Sequence, residues 1–142
     1  MKDLIELYSH LFKLKRLDRF GWTKYDINSP ESVAEHSFGL AILALAIAPK
    51  LNLDVNKAVT IALIHDLGES IIGDIQSPEN QKDEIDKRAK EDPAVSRVLS
   101  LIAEDPTKLK SLWLDFEDGK SPEAKFVKEL DKIEMCLQAL SY

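Results

Sequence analysis

Five of the chain's six prolines stand directly behind a serine or an aspartate: Ser29-Pro30, Ser77-Pro78, Asp92-Pro93, Asp105-Pro106 and Ser121-Pro122. Proline is tolerated at the first position of a helix, where its missing N–H would have had no partner. Serine or aspartate before it accepts a bond from an orphaned amide of the first turn. Five such pairs in one short chain predict a protein built of helices. Pro49 follows an alanine-rich run instead and marks a helix end. The expected helices lie near 3–17, 30–48, 54–68, 78–90, 93–104, 106–118 and 122–141. Ser32 and Glu35 are spaced as a capping box within the second of these. No stretch alternates cleanly at period two, so the expected fold is all-α, a compact multi-helix bundle forming one domain over residues 1–142.

Composition excludes several classes of function. A net charge of −6 disfavours a nucleic-acid partner. The apolar run at 40–48 is shorter than the roughly 20 residues a bilayer requires, and the charged, amphipathic N-terminus lacks a signal-peptide core. Cys136 is the only cysteine, which rules out an intrachain disulfide and fits a reducing cytoplasm; on its helix it reads as packing. The expectation is a cytoplasmic protein with no membrane partner. Residues 79–92, nearly all charged or polar, read as a solvated helix or mobile loop, the alternative being a lid over a site.

Against this background some polar residues sit on apolar faces. His36 shares a helical stripe with Val33, Leu40, Leu43 and Ile47. In "ALIHDLGESIIGDI", residues 62–75, His65, Asp66 and Glu69 interrupt a core-like run whose neighbouring face is alanine, and Asp74 follows at a turn opened by Gly73. Buried carboxylates without partners cost several kcal/mol, so such a face needs compensation, which a divalent cation provides. Asp131 lies with Val127, Leu130 and Glu134 on the inward stripe of the last helix; taken alone it reads as a surface partner of Lys128. Together His36, His65, Asp66 and Asp131 form a mixed imidazole and carboxylate set suited to Mn, Fe, Co, Ni or Zn. His10 reads as packing, and Trp113 with Leu109, Leu112 and Phe116 as a core or dimer-facing stripe.

The strings "ESVAEHSFGLAILALAI", "ALIHDLGESIIGDI" and "EAKFVKELDKIEMCLQAL" resemble the HD-domain phosphohydrolases, an all-helical superfamily with an H…HD…D metal signature. They resemble most closely the YfbR-like HD-domain 5′-deoxynucleotidases, over about Leu11 to Tyr142. The resemblance implies a single HD domain in which His36, His65, Asp66 and Asp131 bind one divalent metal, cobalt or manganese by preference. It implies that Glu69 and Asp74 are the catalytic carboxylates, that the substrate is a nucleoside 5′-monophosphate with deoxyribose preferred, and that the protein forms homodimers. The family's Arg-Trp pair before the first metal histidine, used to hold substrate, is altered here. In "LDRFGWTKY" Gly21 precedes Trp22, and Arg19 stands three residues before the tryptophan. Arg19 and Trp22 are the substrate-binding candidates, a guanidinium being able to fork onto two phosphate oxygens.

The expected chemistry is metal-assisted hydrolysis of a phosphomonoester, with Glu69 and Asp74 as acid and base in either assignment. The alternatives are an HD-domain phosphodiesterase, a nucleoside triphosphate or alarmone hydrolase, or a non-catalytic helical binding module stabilised by its metal.

Overall fold

Ser121-Pro122 does what its sequence predicts: Ser121 Oγ accepts the amide of Ala124 at 3.1 Å, and the proline opens the last helix. The computed structural model describes residues 2–75 and 81–142. Their regular elements are helices: α1 (Lys2–Leu14), α2 (Val33–Ile47), α3 (Val55–Ile64), α4 (Glu69–Ile72), α5 (Gln81–Ile102), α6 (Thr107–Asp118) and α7 (Pro122–Ser141), with 3₁₀ turns at Trp22–Lys24 and Ala48–Leu51. Among the described residues the only β-type pairing is an isolated antiparallel bridge, Asp18 with Ser32. The fold is all-α. Two compact units emerge, Met1–Ala34 with Asp66–Pro106, and Glu35–His65 with Thr107–Tyr142.

In the first unit α1 packs on α4 and α5, and α4 packs on α5. His10, on the buried side of α1, bonds Ser70 Oγ at 2.9 Å, and Ser70 in turn donates to the Leu67 carbonyl at 2.8 Å. The packing role read for His10 holds, and burial, then nearby Lys13, lowers its pKa. Gly68 presses against α5: a Cβ there would stand 2.7 Å from Val95 Cγ2 and 3.3 Å from the Val95 amide nitrogen. Gly68→Ala should therefore cost about 1–3 kcal/mol by overpacking, read as a lowered urea midpoint.

Two expected helices are in fact one. Pro93 lies inside α5, where the sequence predicts a break between 90 and 93. An interior proline costs about 3 kcal/mol. Ala94, Val95, Val98 and Leu99 form one buried stripe on the same helix, and each large apolar side chain buried returns about 1.5–3 kcal/mol. Burial outweighs the local penalty. The Ser77-Pro78 signature, with residues 79–80 of the charged segment, lies outside the described residues. Ser29, at φ 56°, belongs to the loop before α2 rather than to a helix cap. The expected 54–68 helix ends at Ile64, so His65 to Gly68 form a turn.

In the second unit α3 packs on α6 and α7, and α6 on α7, around Leu40, Ala44, Ala58, Ile61, Val127 and Leu130. Trp113 is core, 1% exposed. α2 ends before Pro49, as expected; with the 3₁₀ turn that follows, Val33–Leu51 is long and apolar enough to cross a membrane by length and composition. Its Leu40, Ala44 and Ala48 nevertheless lie in this unit's core. An ionic joint fixes α7 to α3. Lys57 Nζ lies 2.9 Å from Asp115 and 3.4 Å from Glu123, while Ser121 donates to Asp115 through both its amide and its hydroxyl. Against a burial cost, these bonds hold the Asp115 carboxyl at about 2. Cys136 is exposed, contrary to the packing role expected, because its position on α7 falls outside the Val127–Leu130–Glu134 stripe.

Candidate metal centre and a carboxylate group

The second unit places His36 on α2, His65 at the C-terminal end of α3, and Asp131 on α7 with ligand atoms within 4.8 Å of one another. His36 Nε2 and Asp131 Oδ1 are 3.0 Å apart. Both atoms are of the donor types that a divalent transition metal would take. The tautomers suit a metal as well. His65 Nδ1 lies 2.8 Å from the Ala62 carbonyl, which can only accept, so Nδ1 carries the proton and Nε2 the lone pair. His36 Nδ1 faces the Glu134 carboxylate at 2.5 Å. The two rings meet edge-on at 5.5 Å, and His65 packs edge-on against Phe116 at 5.3 Å. Two imidazoles and a carboxylate so disposed fit a divalent transition metal. Lys128 donates to the Glu117 carbonyl at 2.8 Å, and Asp131 is turned to the histidine.

The first unit holds Asp66, Glu69, Asp74 and Arg19. Arg19 Nη1 lies 3.5 Å from Asp66 Oδ2. Gly73, at φ 82°, adopts a conformation that L side chains rarely take and turns the chain so that Asp74 accepts the Phe20 amide at 2.6 Å. Glu69 is 6% exposed, and its Oε2 is buried without a hydrogen-bond partner among the described residues. Burial first, then the charges of Asp66 and Asp74, pushes the Glu69 carboxyl up to about 11. Burial also raises Asp74, against the Phe20 amide and Arg19.

Two residues passed over in the sequence enter here, one in each unit. Glu134, a carboxylate on an apolar stripe, carried the same signal as Asp131. Lys87 carried none, being one charge in a charged run. Half-buried on α5, its ammonium is 3.3 Å from Glu91. Burial works to lower it, but Glu91, Asp66 and Glu69 outweigh that and hold it above the usual lysine value. Trp22 is partly buried, and its indole N–H goes to Glu31 at 2.8 Å.

Residues 11–142 match the HD domain family model, and the chain belongs to that family. Within it, the chain is 39% identical to 5′-deoxynucleotidase HDDC2 of Homo sapiens, over 99% of this chain and 69% of the human protein. It is likewise 39% identical to 5′-deoxynucleotidase hdd1 of Schizosaccharomyces pombe, over 99% of this chain and 72% of that one. Among solved structures, the PH0347 protein from Pyrococcus horikoshii OT3 is similar with a TM-score of 0.81 and 36% identity, covering 97% of this chain and 78% of the other.

Proposed function

We propose that this chain is a metal-dependent 5′-deoxynucleotidase, removing the 5′-phosphate of deoxynucleoside monophosphates. The cluster of His36, His65 and Asp131 in a chain of the HD-domain family carries this reading. Asp66, peptide-bonded to His65, is the fourth ligand. The metal, cobalt or manganese with zinc, iron or nickel as further candidates, supplies Lewis-acid polarisation of a phosphate oxygen and acidification of water. Arg19 and Lys87 bind the phosphate dianion, the guanidinium by two parallel donors and the ammonium as a point charge. Glu69, protonated in its buried setting, holds a proton for the departing 5′ oxygen. Asp74, fixed by the Phe20 amide, orients the attacking water. Trp22 flanks the substrate as the family's tryptophan does, and the protein works in the cytoplasm as a homodimer. Leu4, Ile5, Tyr8 and Phe12, exposed along one face of α1, support an apolar contact between copies.

A metal-binding module with no chemistry leaves Glu69 unexplained, since a structural ion needs no buried, protonated carboxyl apart from its ligands. A triphosphate or alarmone substrate brings more negative charge than Arg19 and Lys87 neutralise. The deciding experiment measures phosphate release by metal-depleted protein resupplied with cobalt or manganese. Its substrates are deoxynucleoside and nucleoside mono-, di- and triphosphates and cyclic dinucleotides. Release from monophosphates alone, faster with deoxyribose, is expected; no release from any monophosphate would overturn the proposal. In the same assay Lys87→Met should raise KM about 10- to 100-fold, the worth of one charged hydrogen bond, with kcat much less affected.

A further inference from the structure

Glu134 has no place in the H…HD…D pattern, yet it is 7% exposed on the inner side of α7. Its Oε2 lies 2.5 Å from His36 Nδ1. Its other oxygen lies against α2 where that helix has no side chain: a Cβ on Gly39 would stand 3.2 Å from Glu134 Oε1. Gly39 is three residues beyond His36, so the glycine clears space on the face that carries the imidazole. Asp131, three residues before Glu134 on α7, meets the opposite ring nitrogen at 3.0 Å. One helix thus holds the ring at both ends, and the two carboxylates do different things.

We propose that Glu134 is a positioning residue for metal binding. By accepting the Nδ1–H of His36 it fixes the tautomer whose lone pair is on Nε2, and it turns Nε2 toward Asp131. A carboxylate behind a ligating imidazole also makes the ring a stronger donor. His65 receives a neutral counterpart of the same support, the Ala62 carbonyl at 2.8 Å. The inference rests on the metal ligands proposed above and is independent of the substrate.

The test is calorimetric titration of cobalt into metal-free wild-type and Glu134→Gln proteins. Glutamine keeps the volume and an accepting oxygen but loses the charge. The variant is expected to bind cobalt about 10- to 100-fold more weakly while its metal-free melting temperature is maintained or raised. A folded Glu134→Gln protein that binds cobalt as tightly as wild type overturns the inference. Should that variant fail to fold, nitrogen NMR of the wild-type histidines during zinc addition decides. A zinc-induced shift at His36 Nε2 with Nδ1 still protonated supports the role, and metal at Nδ1 overturns it. Hydrolysis enters neither readout. A protein that binds cobalt through this arrangement yet releases no phosphate would sink the nucleotidase reading alone.

Discussion

His65→Ala protein should lose phosphate release from deoxynucleoside monophosphates on the order of 10³-fold or more, and should lose cobalt binding with it. His65 Nδ1 is engaged by the Ala62 carbonyl at 2.8 Å, and Nε2 is the proposed metal donor. Asp66→Ala is harder to read, since it also removes the partner of Arg19 at 3.5 Å and so disturbs the proposed phosphate contact as well as the proposed ligand. Deleting the buried His65 ring leaves a hole beside Phe116 and His36, at a cost of about 1–3 kcal/mol. A control must share that cost. Val127→Ala, at a fully buried position in the same unit's core, makes a hole one turn from Asp131 without removing a ligand and should retain both metal and activity. Near-wild-type hydrolysis by a folded His65→Ala protein would refute the metal assignment.

What the sequence made legible follows from which forces are local. Ser121-Pro122 capped a helix because the cap needs only its own first turn, and Pro49 ended one for the same reason. Asp92-Pro93 presented the same local signature and meant something else. The stripe of Val95, Val98 and Leu99 is stabilised by α1 and α4, neighbours that no window around Pro93 contains. At the metal cluster, periodicity placed His36 and Asp131 on inward stripes, and the structure brings them to 3.0 Å. Glu134 lay on the same stripe and was legible by the same rule, a carboxylate where an apolar residue belongs. Lys87 was not. Its contribution is electrostatic and depends on which face of the charged first half of α5 lies near Asp66 and Glu69. For Trp22, the family resemblance implied a substrate contact, while the indole bond to Glu31 reports only how the ring is held.

Glu69→Gln should separate activity from stability more sharply than any other substitution in this chain. In the unfolded chain Glu69 titrates near its ordinary 4.5, while in the folded, metal-free protein burial and the charges of Asp66 and Asp74 push it up to about 11. The folded state therefore keeps a proton that the unfolded state releases. Stability from this group is fully present below 4.5 and is lost progressively as pH rises from there toward about 11, with Asp74 acting in the same sense. The slope for one such proton is at most about 1.4 kcal/mol per pH unit. Glutamine occupies the same space and has no proton to lose, so metal-free Glu69→Gln should be more stable than wild type at neutral pH. The gap should widen in more alkaline buffer and vanish in acid below 4.5. Phosphate release should fall about 10²- to 10⁴-fold, because an amide cannot protonate the departing 5′ oxygen. Urea unfolding across pH and steady-state hydrolysis measure the two halves. A stability gap that ignores pH would show that Glu69 holds no extra proton in the fold. Full activity in the glutamine variant would show that this proton is not the one the reaction uses.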